Sequence, residues 1–361
     1  MPLTRPWRLT LTWTLTPMAT DAPATPPVVL DYGDAAAEYA AARRGAVAVW
    51  RSQVGRVRAV GRDRLDLLHR MSTNDLTNMA VGEARATVLT SAIARMVDVL
   101  WVLNRAETAL YLTGAGRAPV VRRWLGGYVF YNDKVKFEDA TAELGQFGLY
   151  GPQAAATAEA LAGAVALPLG AAELPENRFL DSGEVIVART RPLAGAGYAV
   201  IAPVGQINAL WERAVAAGAT PAGEQAYQWL RVAAGQPEGA VAGTPLAGRE
   251  LTEDYIPLEA NLWPAVSFKK GCYIGQEIIA RMESRGKLAR RLVGLRLNVP
   301  VEVGADVSAN GGVVGAVTSA ATLPDLGPVA LAYVKSAAAE PGQAVTVGEV
   351  AGTVAELPFL A

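Results

Sequence analysis

Hydrophobic spacing along the chain switches repeatedly between the period of strands and that of helices. In "VGRVRAVGRDRLDLLHRMSTNDL", Arg56 to Val60 alternate as a strand, Gly61 breaks the run, and Asp63 stands where a helix N-cap is needed. Leu65, Leu68 and Met71 follow at about three-residue intervals, which puts them on one helical face. "ATVLTS", "MVDVLWVLN" and "TALYLTG" read as strands, "RAPVVRRWLGGY" as a short helix ended by glycines, and "DKVKFEDA" as another strand. The pattern then restarts. "QFGLYG" is strand-like, "PQAAATAEALAG" is a helix with Pro in its first turn, and "GEVIVART" and "GYAVIAP" are strands. "INALWERAVAAG" and "GEQAYQWLRVAAG" are helices. This irregular interleaving predicts an α+β protein with mainly antiparallel sheets. "ALYLTGAGRAPVVRRWLGG" and "YAVIAPVGQINALWERAVAAG" share a strand, small residues and a helix, which suggests a duplicated module.

Beyond Arg291 the chain is rich in Val and Gly, lacks a long helical period and carries turn signals such as Asn310-Gly311. A small β-barrel is expected there. The predicted division is a disordered leader over 1–27, an α+β part over 28–145, a second over 146–290, and the barrel over 291–361. The leader is Thr- and Pro-rich without the apolar core of a signal peptide; Met18 is an alternative start.

Composition narrows the classes. With 51% hydrophobic residues and a formal net charge of −1, the chain buries a sizeable core and is not basic all over. No run approaches the roughly 18 apolar residues of a membrane helix, so no membrane association and a cytoplasmic location are expected. The single cysteine excludes an internal disulfide, and with a single histidine it excludes a Cys- or His-rich metal centre.

That cysteine lies in "FKKGCYIGQEIIARMESRGKLARR", residues 268 to 291. Ile278, Ile279 and Met282 form one apolar face of a predicted helix, and Cys272 falls just before it. Helix N-termini and cations such as Lys269 and Lys270 favour a thiolate, which is the case for a reactive Cys272. A buried structural thiol is the alternative. Seven basic residues (Lys269, Lys270, Arg281, Arg285, Lys287, Arg290, Arg291) face two acidic ones, Glu277 and Glu283, giving a local charge of +5. This is either a solvated face or a site for RNA phosphates, an acidic partner or a polycarboxylate. Asp98, amid the apolar run "MVDVLWVL", is either at a solvated strand position or aimed into a pocket. There is no G-x-x-x-x-G-K-[ST] loop, and "GAGRAP" and "GAGYAV" lack the full dinucleotide fingerprint. A thiol–imidazole pair of Cys272 with His69 has no support from spacing.

"SFKKGCYIGQEIIAR" followed by "RGKLARRLVGL" closely resembles the K-G-C-Y-x-G-Q-E signature of the YgfZ family. These are folate-binding proteins related to the glycine cleavage system T protein (aminomethyltransferase) and linked to iron–sulfur cluster assembly and repair. "LTEDYIPLEANL" and "GRDRLDLLHRMSTNDL" resemble stretches of the same family, so the likeness runs over roughly residues 30 to 340. The resemblance implies a folate-binding α+β body of two interwoven ferredoxin-like parts with a C-terminal β-barrel. It also implies tetrahydrofolate, or a one-carbon derivative, in a central hole. Candidate folate contacts are Asp98, Tyr227, Trp229, Arg231, Lys270, Tyr273, Gln276 and Glu277, with Arg285 and Lys287 for the acidic tail.

The departures carry equal weight. The glycine-cleavage enzymes have paired aspartates in G-G-x-x-D-D-L; "ARMVDVL" keeps Asp98 and has Val99 next to it. Gly195 in "RPLAGAG" stands where their G-Y-T-G-E glutamate grips the pterin, and "LRVAAG" keeps Arg231 but replaces a glutamate by Ala233. Folate binding with Cys272 as the essential side chain, in support of iron–sulfur client enzymes or their assembly machinery, is therefore expected. No cluster is expected on the chain itself, since one cysteine and one histidine cannot supply four ligands. The competing classes are a folate-dependent aminomethyl- or methyltransferase, and an RNA- or protein-binding module using residues 269–291.

Overall fold

The computed structural model describes residues 28–164, 170–240 and 248–359; the expected leader over 1–27 lies outside them. Helix α1 (Ala35–Arg44) is capped by the Asp34 carboxylate, which accepts from the amides of Ala36 and Ala37. It leads into β1 (Ala46–Trp50). Neither element was apparent in the hydrophobic pattern.

The next seven elements build one sheet: β2 (Val54–Val60), α2 (Arg64–Met71), β3 (Ala84–Thr90), β4 (Met96–Asn104), β5 (Thr108–Ala115), α3 (Ala118–Gly126) and β6 (Lys136–Asp139). Its strand order is β3-β4-β5-β2-β6. The same order of elements then recurs as β7 (Leu144–Gly151), α4 (Ala154–Ala164), β8 (Phe179–Asp181), β9 (Ile186–Thr190), β10 (Ala196–Pro203), α5 (Val204–Ala216) and β11 (Ala219–Ala222). This sheet runs β11-β1-β7-β10-β9-β8, the first sheet's order with β1 inserted between β7 and β11. The two segments suspected of duplication thus occupy equivalent places, β5–α3 and β10–α5. Pairing is antiparallel except between β1 and β11. Because β1 belongs to the second sheet, a linear cut at residue 145 separates it from its partners.

Helix α2 buries Leu67, Leu68 and Met71, with Leu65 packed at the edge. Asp63 precedes α2 but makes no cap; its carboxylate accepts from the Lys134 amide at 2.7 Å, tying the helix start to the approach to β6. Central helix α6 (Glu224–Ala233) packs between α1 and the C-terminal domain. After it come α7 (Gln276–Arg285) and six strands. They are β12 (Arg290–Leu297), β13 (Asp306–Ala309), β14 (Gly312–Leu323), β15 (Gly327–Lys335), β16 (Ala344–Val347) and β17 (Val350–Ala355). These close into a barrel in the order β12-β15-β14-β13-β16-β17, as the turn-rich pattern predicts. Asn310 and Gly311 both take positive φ in the tight β13–β14 turn. Tyr39, Leu230, Leu292, Tyr333 and Phe359 share one core cluster, so body and barrel are packed together. No helix among the described residues is long and apolar enough to cross a membrane.

Candidate functional site

On strand β4, Asp98 pairs with Leu89 beside a register shift and shares the face of Leu100, which packs towards α2 and α3. Near the end of the sheet Asp98 also lines a cavity of about 540 Å³ between the two sheets and α6. Its Oδ1 accepts from the amides of Val99 at 2.8 Å and Gly114 at 3.2 Å. Oδ2 is buried without a hydrogen bond, with the Arg117 guanidinium 3.7 Å away. A Cβ at Gly114 would lie 3.1 Å from Oδ1 and would crowd the carboxylate. Burial raises the Asp98 pKa to about 6, against the opposing pull of Arg117. The carboxyl thus has a pKa near neutral and one buried oxygen without a hydrogen bond.

The opposite wall carries a second charged group. Arg51, just past β1, reaches Glu224 at 3.1 Å and Glu238 at 2.5 Å, and lies 3.7 Å over the Tyr227 ring. Glu238 also accepts from Gln228 at 2.5 Å and from the Tyr227 hydroxyl at 3.3 Å. Burial pushes the Glu238 pKa up, but Arg51 and Arg231 outweigh it and hold the group ionised, below the ordinary range. One cavity therefore holds a carboxyl that titrates and a carboxylate that is fixed.

A second cavity of about 970 Å³ adjoins the first. Ala86, Asn177, Arg191, Leu193 and Gln236 line both, so the two cavities adjoin at these side chains and are together termed the channel.

The predicted site residues divide between these walls and other places. Asp98 and Tyr227 line the 540 Å³ cavity. Trp229 does not; it packs edge-on against Tyr39 at 6.0 Å. Arg231 is fully buried, donating to Gln228 at 2.7 Å, Ser319 at 2.7 Å and Glu250 at 3.2 Å, and so joins α6 to the barrel. Lys270 turns inward, where its ammonium donates to the carbonyls of His69, Ser72 at 2.6 Å and Asn74 at 3.0 Å. It is an anchor for its loop and not a cation facing ligand or thiol. Tyr273 is buried beside it, and Gln276 accepts from the Tyr273 amide at 3.3 Å. Glu277, Arg285 and Lys287 are exposed on or just after α7 and line neither cavity.

Cys272 is exposed and also lines neither cavity. Its loop is held on both sides. Thr90 donates to the Ile274 carbonyl at 2.6 Å, and Gly275, at φ +83°, lies so close to the β3–β4 turn that a Cβ would meet the Ser91 carbonyl oxygen at 2.7 Å. Helix α7 starts only at Gln276, with Tyr273 and Ile274 packed between it and the thiol. His69 spends its Nδ1 on the Leu76 amide at 3.2 Å. Sequence reasoning passed over Arg51, Arg117, Arg191 and Glu238. The available signals were a charge directly after the apolar run "AVAVW" and a carboxylate within the turn-like "GQPEG".

Comparison with known proteins agrees with this architecture. Residues 30–270 match the GCVT N-terminal domain, and residues 290–360 match the glycine cleavage T-protein C-terminal barrel domain. The chain belongs to the glycine cleavage T-protein family. It is 32% identical over 323 residues to a chloroplastic protein of Arabidopsis thaliana provisionally named a transferase, covering 88% of this chain and 72% of that one. It is 31% identical over 342 residues to the aminomethyltransferase of Rubrobacter xylanophilus, covering 91% and 87%. The glycine cleavage system aminomethyltransferase T of Bartonella henselae superposes with a TM-score of 0.79 at 24% identity, over 92% of this chain and 91% of that one, and shares the fold. Proteins of this family bind tetrahydrofolate.

Proposed function

We propose that this protein binds tetrahydrofolate, or a one-carbon derivative of it, in the channel beside Asp98, and that it acts as a YgfZ-type accessory factor for iron–sulfur enzymes through Cys272. The observation that carries this reading is the separation of the two groups. The titrating carboxyl lies inside the cavity, while the thiol is presented to solvent on a loop pinned by Lys270, Tyr273 and Ile274. A thiol so placed is available to a macromolecular partner and is not needed for chemistry on a ligand enclosed in the channel. The test is Cys272→Ser in cells lacking the native protein, with folate affinity measured on the purified variant. The expected result is unchanged tetrahydrofolate binding with lost support of iron–sulfur enzymes. Full restoration of those enzymes by the variant would sink the role of the thiol.

A second reading, folate-dependent aminomethyl transfer, is favoured by the relatives named above and by Asp98, whose near-neutral pKa suits proton transfer at a folate nitrogen. By motif resemblance, Val99, Gly195 and Ala233 take the places of carboxylates, which favours the accessory role. Glycine-dependent one-carbon exchange by the purified protein, abolished in Asp98→Asn, would decide for the enzyme.

A further inference from the structure

Arg191 sits at the junction of the two cavities and lines both. It is half-buried, and among the described residues it makes no ion pair and no side-chain hydrogen bond. Its neighbours differ in this respect. Arg51 is bound to Glu224 and Glu238, Arg117 to Asp98, and Arg85 and Arg178 to Glu83. A guanidinium withdrawn from water without a partner carries a desolvation cost that an anionic ligand relieves. Burial accordingly draws the Arg191 pKa down, with Glu176 the only opposing charge identified.

The charge along the channel has a direction. The larger cavity is lined by Arg43, Arg85, Arg178 and Arg191 against Glu83 and Glu176. The smaller one, beside Asp98, balances three cations with three carboxylates and has mostly apolar walls. We propose that Arg191 is the specificity residue of the channel: it binds a carboxylate of the ligand, so that a neutral ring lies beside Asp98 and an acidic tail passes Arg191 into the cation-lined cavity. This deepens the folate reading and rests on it for the identity of the ring. It moves the tail away from Arg285 and Lys287, which line neither cavity.

The test compares four probes by anaerobic calorimetry on the full chain and on Arg191→Gln and Arg191→Lys. The probes are tetrahydrofolate, its triglutamate, 6-methyltetrahydropterin (the ring without carboxylates) and γ-linked triglutamate alone. The wild type is expected to bind tetrahydrofolate about tenfold or more tighter than the methylpterin, the range of a charge-assisted contact. Arg191→Gln should erase that preference while leaving methylpterin affinity in place, and Arg191→Lys should keep part of it. A preference that survives Arg191→Gln, or an equal loss for both probes, overturns the proposal. If neither folate nor pterin binds but triglutamate binds in an Arg191-dependent way, the anion site stands and the folate reading fails. If triglutamate binding is also absent or indifferent to Arg191, both fail.

Discussion

Asp98 is held on one oxygen by two backbone amides while the other oxygen, 3.7 Å from Arg117, is buried without a hydrogen bond, an arrangement that costs stability whenever the group is ionised. Its folded pKa of about 6 lies above the model-compound value of 3.8, so the native state binds this proton more tightly than the unfolded chain does. The sign follows: this group's destabilisation is absent below about pH 4, grows as pH rises towards 6, and is constant above it. A shift of roughly two pH units corresponds to a cost on the order of 3 kcal/mol. Asp98→Asn should therefore gain stability relative to the wild type at pH 7.5 and little at pH 4, as read from urea midpoints at the two pH values. A difference between the two proteins that does not change with pH would refute the raised pKa. The same strain makes the carboxyl a good partner for a ligand N–H, and the variant should accordingly bind tetrahydrofolate less well despite being more stable.

At the level of elements, the loop from Phe268 to Gly275 is fixed by one inward-turned side chain. Lys270 satisfies three carbonyls at the end of α2 and the residues after it, and its ring contact with Tyr273 at 5.0 Å stacks the next anchor on the first. Lys270→Met fills similar space but leaves those acceptors unsatisfied, for an expected loss on the order of 2–4 kcal/mol. Hydrogen exchange over residues 268–276 should accelerate in step. An unchanged unfolding midpoint would show that the three contacts are not what holds the loop. This element also marks the limit of what the sequence discloses. Its helix, its cysteine and its family likeness are legible because each is local, carried by spacing and a contiguous signature. That Lys270 turns away from the thiol is not legible, because its partners lie about 200 positions earlier in the chain. Most strands of the body were readable as apolar or alternating runs, whereas β8 and β11 are only three and four residues long, α1 has many alanines and little contrast between its faces, and β1 is nearly continuous in its burial. The cavity's second wall was missed for the same reason as the lysine's orientation: Arg51 and Glu238 are 187 residues apart and acquire meaning only as a pair.

On the scale of the whole molecule, body and barrel meet at Arg231 and Glu250, 1% and 0% exposed and 3.2 Å apart. Ser319 on β14 donates to Glu250 at 2.6 Å and accepts from Arg231 at 2.7 Å, so the barrel closes the network. The same two residues set the cavity wall. Arg231 donates to the Gln236 carbonyl at 2.8 Å, and Glu250 accepts from the Glu238 amide at 3.1 Å. Docking of the barrel thus holds in register the segment that presents Glu238 to the channel. Removing one partner leaves a buried charge uncompensated, and Arg231→Met is expected to lose about 3–5 kcal/mol. Adding Glu250→Gln to it should return part of that loss, because the stranded carboxylate is then gone. If the link couples the domains, calorimetry of Arg231→Met should show the single unfolding transition broadening or splitting as the barrel loosens first. Affinity for tetrahydrofolate should fall in the same variant although Arg231 touches neither cavity, since the Glu238 segment loses its support. A stable variant with one sharp transition and unaltered folate binding would show that Arg231 merely fills the core. Cooperative loss of barrel docking and ligand together would identify the body–barrel seam as what keeps the channel formed.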